Sequence, residues 1–277
     1  MTNTIDPTDT STWLPLDGLA PGFDANKQPP TTTLRDQEIT VVDERGTRIT
    51  HRFGSDTVTW TYSPGTGDSI PESTGTDDYE AFDIDPGLVY AQFQHSDQPN
   101  ESVSLILDFT TGHALSVITT IGEPVDSGPR VGQLFVPARI EGSTANGDAP
   151  APTTALVGKR TIWFYSSQHA YEHVYLSPRW YSWQCLAGPD TGLADTDECT
   201  SYELRPGIYL FAWREKVVPC ASVTVADHRN TRALCSHGVL FGPDESGASQ
   251  TQFTFGANGY LLSNTVHPAH YDPAQQH

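Results

Sequence analysis

Residues 82–90 read FDIDPGLVY, and residues 202–210 read YELRPGIYL. Each is a strand, a Pro-Gly turn and a second strand, since Pro presets the first turn position and Gly supplies the positive φ of the next. The two prolines are 120 positions apart, and the match runs on to Phe93 and Trp213 at the same offset. Downstream, residues 103–115 (VSLILDFTTGHAL) parallel residues 222–234 (SVTVADHRNTRAL), with Asp108 against Asp227 and Leu115 against Leu234. Both have the apolar run, Asp, polar turn and second strand of a hairpin. Upstream, the strand around Trp60 (TVTWTY) is set against the one around Trp183 (YSWQCL). Strand–turn–strand segments recur in any β protein. Three matches in one order at a nearly constant offset mark an internal duplication.

The halves divide within residues 141–152 (EGSTANGDAPAP), a small, polar, Pro-containing stretch of linker composition. This gives a first domain over 1–145 and a second over 146–277. Polar loops over 64–78 and 188–200 occupy the same place in each half. Strands are expected at 38–43, 47–53, 57–62, 80–85, 88–94, 102–109 and 113–119. In the second half they are expected at 159–165, 171–176, 180–186, 201–205, 208–215, 221–227 and 233–240, then 252–256 and 259–263. The first dozen residues and the tail beyond Asn264 read as mobile. Short hairpins in chain order suggest antiparallel up-and-down meanders, and seven or eight such strands can close around one small ligand. The fold class is therefore all-β: an antiparallel β-barrel duplicated in two halves, which close separately or share one larger sheet.

The chain carries 15 Lys and Arg against 34 Asp and Glu, a formal net charge of −19. That field repels phosphate backbones and anionic lipid, so neither nucleic acid nor membrane is an expected partner. A small neutral or cationic aromatic molecule suits it better; the oligomeric state is open. The N-terminus (MTNTIDPTDTSTWLPL) lacks a basic region followed by an apolar run, and no stretch reaches the ~18 apolar residues of a membrane span, so a cytoplasmic location is expected. Cys185, Cys199, Cys220 and Cys235 match no CxxC spacing and are expected as reduced thiols.

Strand alternation sorts the second half into faces. Tyr171, His173 and Tyr175 share one face of YEHVYL; Tyr209, Phe211, Trp213 and Glu215 share one face of the later strand. Thr161, Trp163 and Tyr165 line up likewise, and Trp180 and Trp183 supply two more indoles. Pointing inward, these rings would enclose one imidazole and one carboxylate, the make-up of an aromatic-ligand pocket. His173 and Glu215 are then acid–base candidates, with Tyr171 and Tyr175 assisting. Trp163, Tyr165, Trp183, Tyr209, Phe211 and Trp213 are the ligand-contact candidates. Arg214 and Lys216, on the opposite face, could hold a carboxylate or phenolate. Rings on an inner strand face are ordinarily core, and Arg-Glu-Lys in a row is ordinarily a solvated strand end. The first half, with Phe93 and His95 where the second has Trp213 and Glu215, reads as the structural partner.

GxGxxG, Walker, HExxH and GxSxG motifs are absent, so no cofactor or metal is expected. His169 and His173 have helical metal spacing within a strand pattern.

Residues 158–219, with YEHVYL, GLADTDEC and WREKVVP as the most specific marks, resemble the MoaF family, whose name denotes molybdenum cofactor biosynthesis protein F. The first half, from Leu14–Gly18 (LPLDG) through SLILDFTTGHAL, is similar to that family's N-terminal domain. The resemblance implies a lipocalin-like (calycin) barrel arrangement in two parts. Its name implies a link to pterin cofactor synthesis, and family associations add aromatic amine catabolism and secondary metabolism. It carries over no residue roles. The leading expectation is a cofactor-independent lyase, isomerase or cyclase acting on an aromatic or polyene-like metabolite in the second barrel. The alternatives are a non-catalytic carrier or sensor, and an accessory protein of molybdenum cofactor biosynthesis.

Overall fold

The computed structural model describes residues 10–123 and 129–275. The first half supplies β1 (Glu38–Asp43), β2 (Arg48–Phe53), β3 (Thr57–Ser63), β4 (Ser73–Asp85), β5 (Leu88–Gln94), β6 (Glu101–Asp108), β7 (His113–Ile121) and β8 (Val131–Ile140). After a two-residue β9 (Ala151–Pro152), the second half supplies β10 (Lys159–Phe164), β11 (Ala170–Tyr175), β12 (Trp180–Ala187), β13 (Ala194–Arg205), β14 (Ile208–Arg214), β15 (Ala221–Asp227), β16 (Leu234–Pro243) and β17 (Gln250–Asn264). Within β1–β8 and within β10–β17, every neighbour in chain order pairs antiparallel, and β9 pairs with β13. β1–β8 pairing closes the first ring, and β10–β17 pairing closes the second. These are two separate eight-stranded up-and-down barrels of lipocalin type.

The halves repeat in detail. The register shifts between Asp83 and Asp85 in one barrel and between Glu203 and Arg205 in the other. Trp60 Nε1–H donates to Asp77 (2.7 Å), as Trp183 Nε1–H donates to Asp197 (2.9 Å).

β5 and β14 are buried along almost their whole length, because both of their faces are covered. Val89, Ala91 and Phe93 point into the first barrel, whereas Leu88 and Tyr90 point out against Ile208, Leu210 and Val225 of the second. Each Leu, Ile or Val buried there contributes roughly 1.5–3 kcal/mol, so the barrels form one unit. Polar contacts fix the seam: Tyr90 Oη–H donates to the Val223 carbonyl (3.2 Å), and Arg205 makes paired bonds to Asp108 (both 2.8 Å) and one to Asp85 (2.7 Å). A strap before β1, containing the single-turn α1 (Leu16–Leu19), crosses over and covers the mouth of the second barrel.

Several strand expectations change. β4 and β13 start earlier than expected, and the polar loops shrink to match. Their Thr and Ser residues pair across the strands, as in Thr59–Thr76 (2.9 Å) and Ser182–Thr196 (2.6 Å). β8, which carries Pro137 and no clean alternation, was not expected at all; Val42 and Asp43 of β1 pair with it to close the ring. Residues 252–256 and 259–263 are one strand, β17. It passes so close to its neighbours that Gly256 and Gly259 have no space for a side chain. A Cβ on Gly259 would lie 2.3 Å from the Ile162 carbonyl oxygen. Gly259→Ala is therefore expected to destabilise by about 1–3 kcal/mol, read as a lower urea midpoint. Residues 1–9 of the terminal dozen lie outside the described residues. The tail forms two 3₁₀ turns, Ala269–Tyr271 and Pro273–Gln275.

Candidate functional site

Inward-facing alternate residues of the second barrel converge on a cavity of about 60 Å³ open to water centres, room for a few waters. Tyr171 and His173 reach it from β11, Tyr181 and Trp183 from β12, Trp213 from β14, and Phe253 and Phe255 from β17. The rings stack in edge contacts: Tyr181 meets Phe211 at 5.0 Å between centroids, and His173 meets Tyr181 at 5.3 Å and Trp213 at 5.7 Å. A smaller void of about 10 Å³ lies deeper, bounded by Trp163, Tyr175 and Phe211.

Three ionisable groups besides the tyrosines face the cavity. Burial, with Asp197 nearby, pushes the Glu215 carboxyl up to about 8, although Trp213 Nε1–H donates to its Oε1 at 2.9 Å and favours the anion. Burial pushes His173 down to about 3, only partly opposed by Glu172 behind it, and its Nδ1 has no partner. Asp190 is raised by burial; Tyr171 Oη–H donates to its Oδ2 (3.1 Å), and its Oδ1 is unpartnered. Near pH 7 the site therefore holds a protonated acid and a neutral imidazole. The lining tyrosines Tyr165, Tyr171 and Tyr181 are also raised by burial, so they stay protonated. Among the described residues, no Lys or Arg lines the cavity.

The other candidates are dispersed. Tyr209 points into the barrel near its far end, beside His228 (5.6 Å) and under the Lys159 ammonium (5.2 Å). Arg214 does not line the cavity: it points outward, donating to Gln133 of the first barrel (2.8 Å) and to Thr200 (3.2 Å). β14 ends at Arg214, so Lys216 leaves the strand face they were expected to share. Its ammonium is held by Asp195 (2.6 Å) and Asp197 (3.1 Å). Trp180 points to solvent and is 44% exposed, because it has the opposite parity to Trp183. His169 lies in the turn before β11 and bonds Ser166 (2.7 Å), off the His173 strand face. Cys185, Cys199 and Cys220 are buried free thiols, and Cys235 is half-buried and free.

Sequence reasoning missed several lining residues. Tyr181 was legible, two residues from Trp183 on the same face. Asp190 sits in a turn, where strand parity has nothing to say. Leu19 and Phe23 come from the strap, more than 140 residues before the barrel residues they meet. The first barrel is also less plain than expected. Its Asp77 accepts from Trp60 and Ser96 and pairs with His95 (2.8 Å), at the places of Asp197, Trp183 and Glu215.

The MoaF N-terminal domain model matches residues 11–123, and the MoaF C-terminal domain model matches residues 150–265. Protein MoaF of Klebsiella aerogenes is 32% identical over 205 residues, covering 68% of this chain and 75% of that protein. The chain belongs to the MoaF family. A solved Burkholderia vietnamiensis structure described as that of a beta-lactamase covers 40% of this chain and 97% of its own at 17% identity, but its TM-score of 0.30 supports no comparison. Set on the structure, the MoaF C-terminal match contains every barrel residue of the cavity. The strap residues that close it fall in the MoaF N-terminal match, so the site draws on both domains. Among the described residues, no helix is long and apolar enough to cross a membrane.

Proposed function

We propose that this MoaF-family chain is a cytosolic, cofactor-independent enzyme that moves protons on a small neutral aromatic or conjugated molecule in the second barrel. The observation that carries the reading is that a carboxyl, Glu215, and an imidazole, His173, face one aromatic cavity whose burial pushes the first pKa up and the second down. Groups whose surroundings push their pKa values far apart are the usual signature of assigned acid and base roles.

Glu215 donates its proton to one atom of the conjugated system while His173 removes a proton from another, which amounts to an isomerisation. If a leaving group departs instead with the Glu215 proton, the same pair performs an elimination. His173 takes a proton reluctantly, because burial disfavours imidazolium. The carboxylate left on Glu215 offsets that cost across a dry, low-dielectric site, which couples the two transfers. Trp213 holds one carboxyl oxygen in place, and Tyr171 and Tyr181 line the path. With Arg214 and Lys216 engaged elsewhere, the cavity offers a phosphate no cation, which favours a neutral ligand over a phosphorylated pterin.

The test is deuterium exchange. In D₂O, neutral aromatic and enone metabolites that bind should gain deuterium at carbon, read by NMR, and Glu215→Gln or His173→Phe should slow this by about 10²–10⁴-fold. Ligands that bind and return unexchanged and unchanged would sink the enzyme reading and leave a carrier. Glu215→Gln has a second readout. A raised folded pKa contributes stability below the unfolded value of 4.5 and loses it as pH rises towards 8. The variant should therefore be more stable than the parent at pH 8, by about 2–4 kcal/mol, and should match it near pH 4.

A further inference from the structure

We propose that the strap is a gate, and that the ligand site continues past it from the barrel cavity into an open cleft at the barrel junction. The inference rests on the aromatic-ligand reading of the cavity. Cavity and cleft lie on the two sides of one segment: Leu19 and Phe23 face the cavity, while Ala20, Pro21 and Gly22 border the cleft. Phe253 is a wall of both. The cleft measures about 550 Å³ where the cavity measures about 60 Å³. A ring system does not fit a space for a few waters, so a ligand reaches His173 and Glu215 only when this segment moves.

The segment is built to move. α1 is a single turn with no side-chain cap at Pro15. The strap is seated chiefly by side-chain packing, Trp13 on Trp183 (5.6 Å) and Phe23 on Tyr165 (4.7 Å). One bond holds α1 itself, the Glu245 N–H donating to Asp17 Oδ2 (3.1 Å), and the firmer polar anchor comes later, where Asn26 donates to the Phe164 carbonyl (2.8 Å) and Lys27 bonds Glu80 and Thr254 (both 2.9 Å). Gly22 sits between, at φ +91°, a conformation open to Gly and strained for other residues. With the segment displaced, cavity and cleft join into one site for an elongated ligand. Its rings lie in the barrel, and its tail lies beside Asp17, Asp24 and Glu80, where Lys27 is already paired with Glu80. The ligand is therefore neutral or cationic at the tail and not anionic.

The probe is 1-N-phenylnaphthylamine, a neutral aromatic dye, followed by stopped-flow fluorescence with its sulfonated analogue 1-anilinonaphthalene-8-sulfonate alongside. In the wild type the observed rate should level off with dye concentration, the plateau being gate opening. Phe23→Ala and Leu19→Ala should remove the plateau and speed association at least tenfold, with circular dichroism reporting a retained fold. Without any variant, the Leu19, Ala20 and Phe23 amides, bonded to Pro15, Leu16 and Ala20 carbonyls, should exchange before the β16–β17 amides and become protected on dye binding. Rates linear in dye and changed less than twofold by both variants, with binding intact, would overturn the gate and leave the aromatic reading standing. Strap amides as protected as those of the barrel would do the same. Tighter binding of the sulfonated dye would overturn the ligand class. No dye binding by any form would overturn the aromatic reading itself, and the gate with it.

Discussion

Replacing Arg205 with Ala is expected to lower the free energy of unfolding by about 3–5 kcal/mol, the cost of breaking a buried ion pair by removing one partner. The Arg205 side chain is 16% exposed, and the Asp108 side chain it grips is 5% exposed. Two parallel bonds to Asp108, one to Asp85 and one to the Pro86 carbonyl use most of the guanidinium donors. Burial opposes ionisation of Asp108, but the Arg205 bonds and the Thr110 and Thr111 amides outweigh it and hold its pKa below the usual range. Without Arg205, the Asp108 carboxylate is left at a dry seam with no countercharge, while Asp85 keeps only Arg229 (2.9 Å). Adding Asp108→Asn should recover part of the loss, because an amide needs no countercharge. Arg205→Lys should recover less than a full pair, since an ammonium cannot make the paired contact. Urea titration of the four proteins checks this, and a loss below 1 kcal/mol for Arg205→Ala would show that the seam stands without the pair.

The second large effect is acid lability. His51 and His228 are pushed by burial to about 4, and His173 and His237 to about 3. Each is neutral in the fold and titrates near 6.5 once unfolded. The unfolded chain thus binds more protons below pH 6.5, and stability present above that value is lost as pH falls towards 4. Each group contributes a slope of about 1.4 kcal/mol per pH unit. Glu215 acts in the opposite sense between pH 4.5 and 8, and cancels about one of the four. These five groups together give a net loss of about 4 kcal/mol per unit below pH 6, which the burial-raised carboxyls of Glu101, Asp190 and Asp197 reduce, against a total of about 5–15 for a typical domain. Urea midpoints from pH 7 to 5 should fall steeply. His237 packs its ring 3.6 Å from Phe82 across the seam with neither nitrogen bonded, so His237→Leu should flatten that slope by about one proton. An unchanged slope would mean that His237 is not held neutral.

Much of this architecture is legible in one dimension, because it is written in period-two patterns and repeated. FDIDPGLVY and YELRPGIYL locate the central hairpins of both barrels, and the alternation in YEHVYL puts Tyr171, His173 and Tyr175 on one inner face. What escaped is of three kinds. Parity places a residue on a face but does not say where the strand ends, so Arg214 and Lys216 were grouped when β14 stops between them. Parity also says nothing of segments outside strands. Asp190 from a turn, and Leu19 and Phe23 from the strap, reach the cavity through tertiary contacts that no local pattern records. β8 was hidden for a third reason: Leu134 and Phe135 are apolar, yet Leu134 is 61% exposed, so its pattern does not report an inside.

The bond between Arg205 and Asp85 has a consequence for how such a molecule can arise. The two residues hold equivalent places in the two halves, 120 positions apart, and they touch each other. That is how a residue behaves when it lies on a two-fold symmetry axis. In a symmetric dimer of identical single barrels, that position would bring two like residues together, Asp against Asp or Arg against Arg, and the charges would repel. Only when both copies are encoded in one chain can one become acidic and the other basic. The same freedom lets one barrel keep His95 where the other has Glu215, so the joining of the copies is the condition under which a single barrel could acquire its own chemistry.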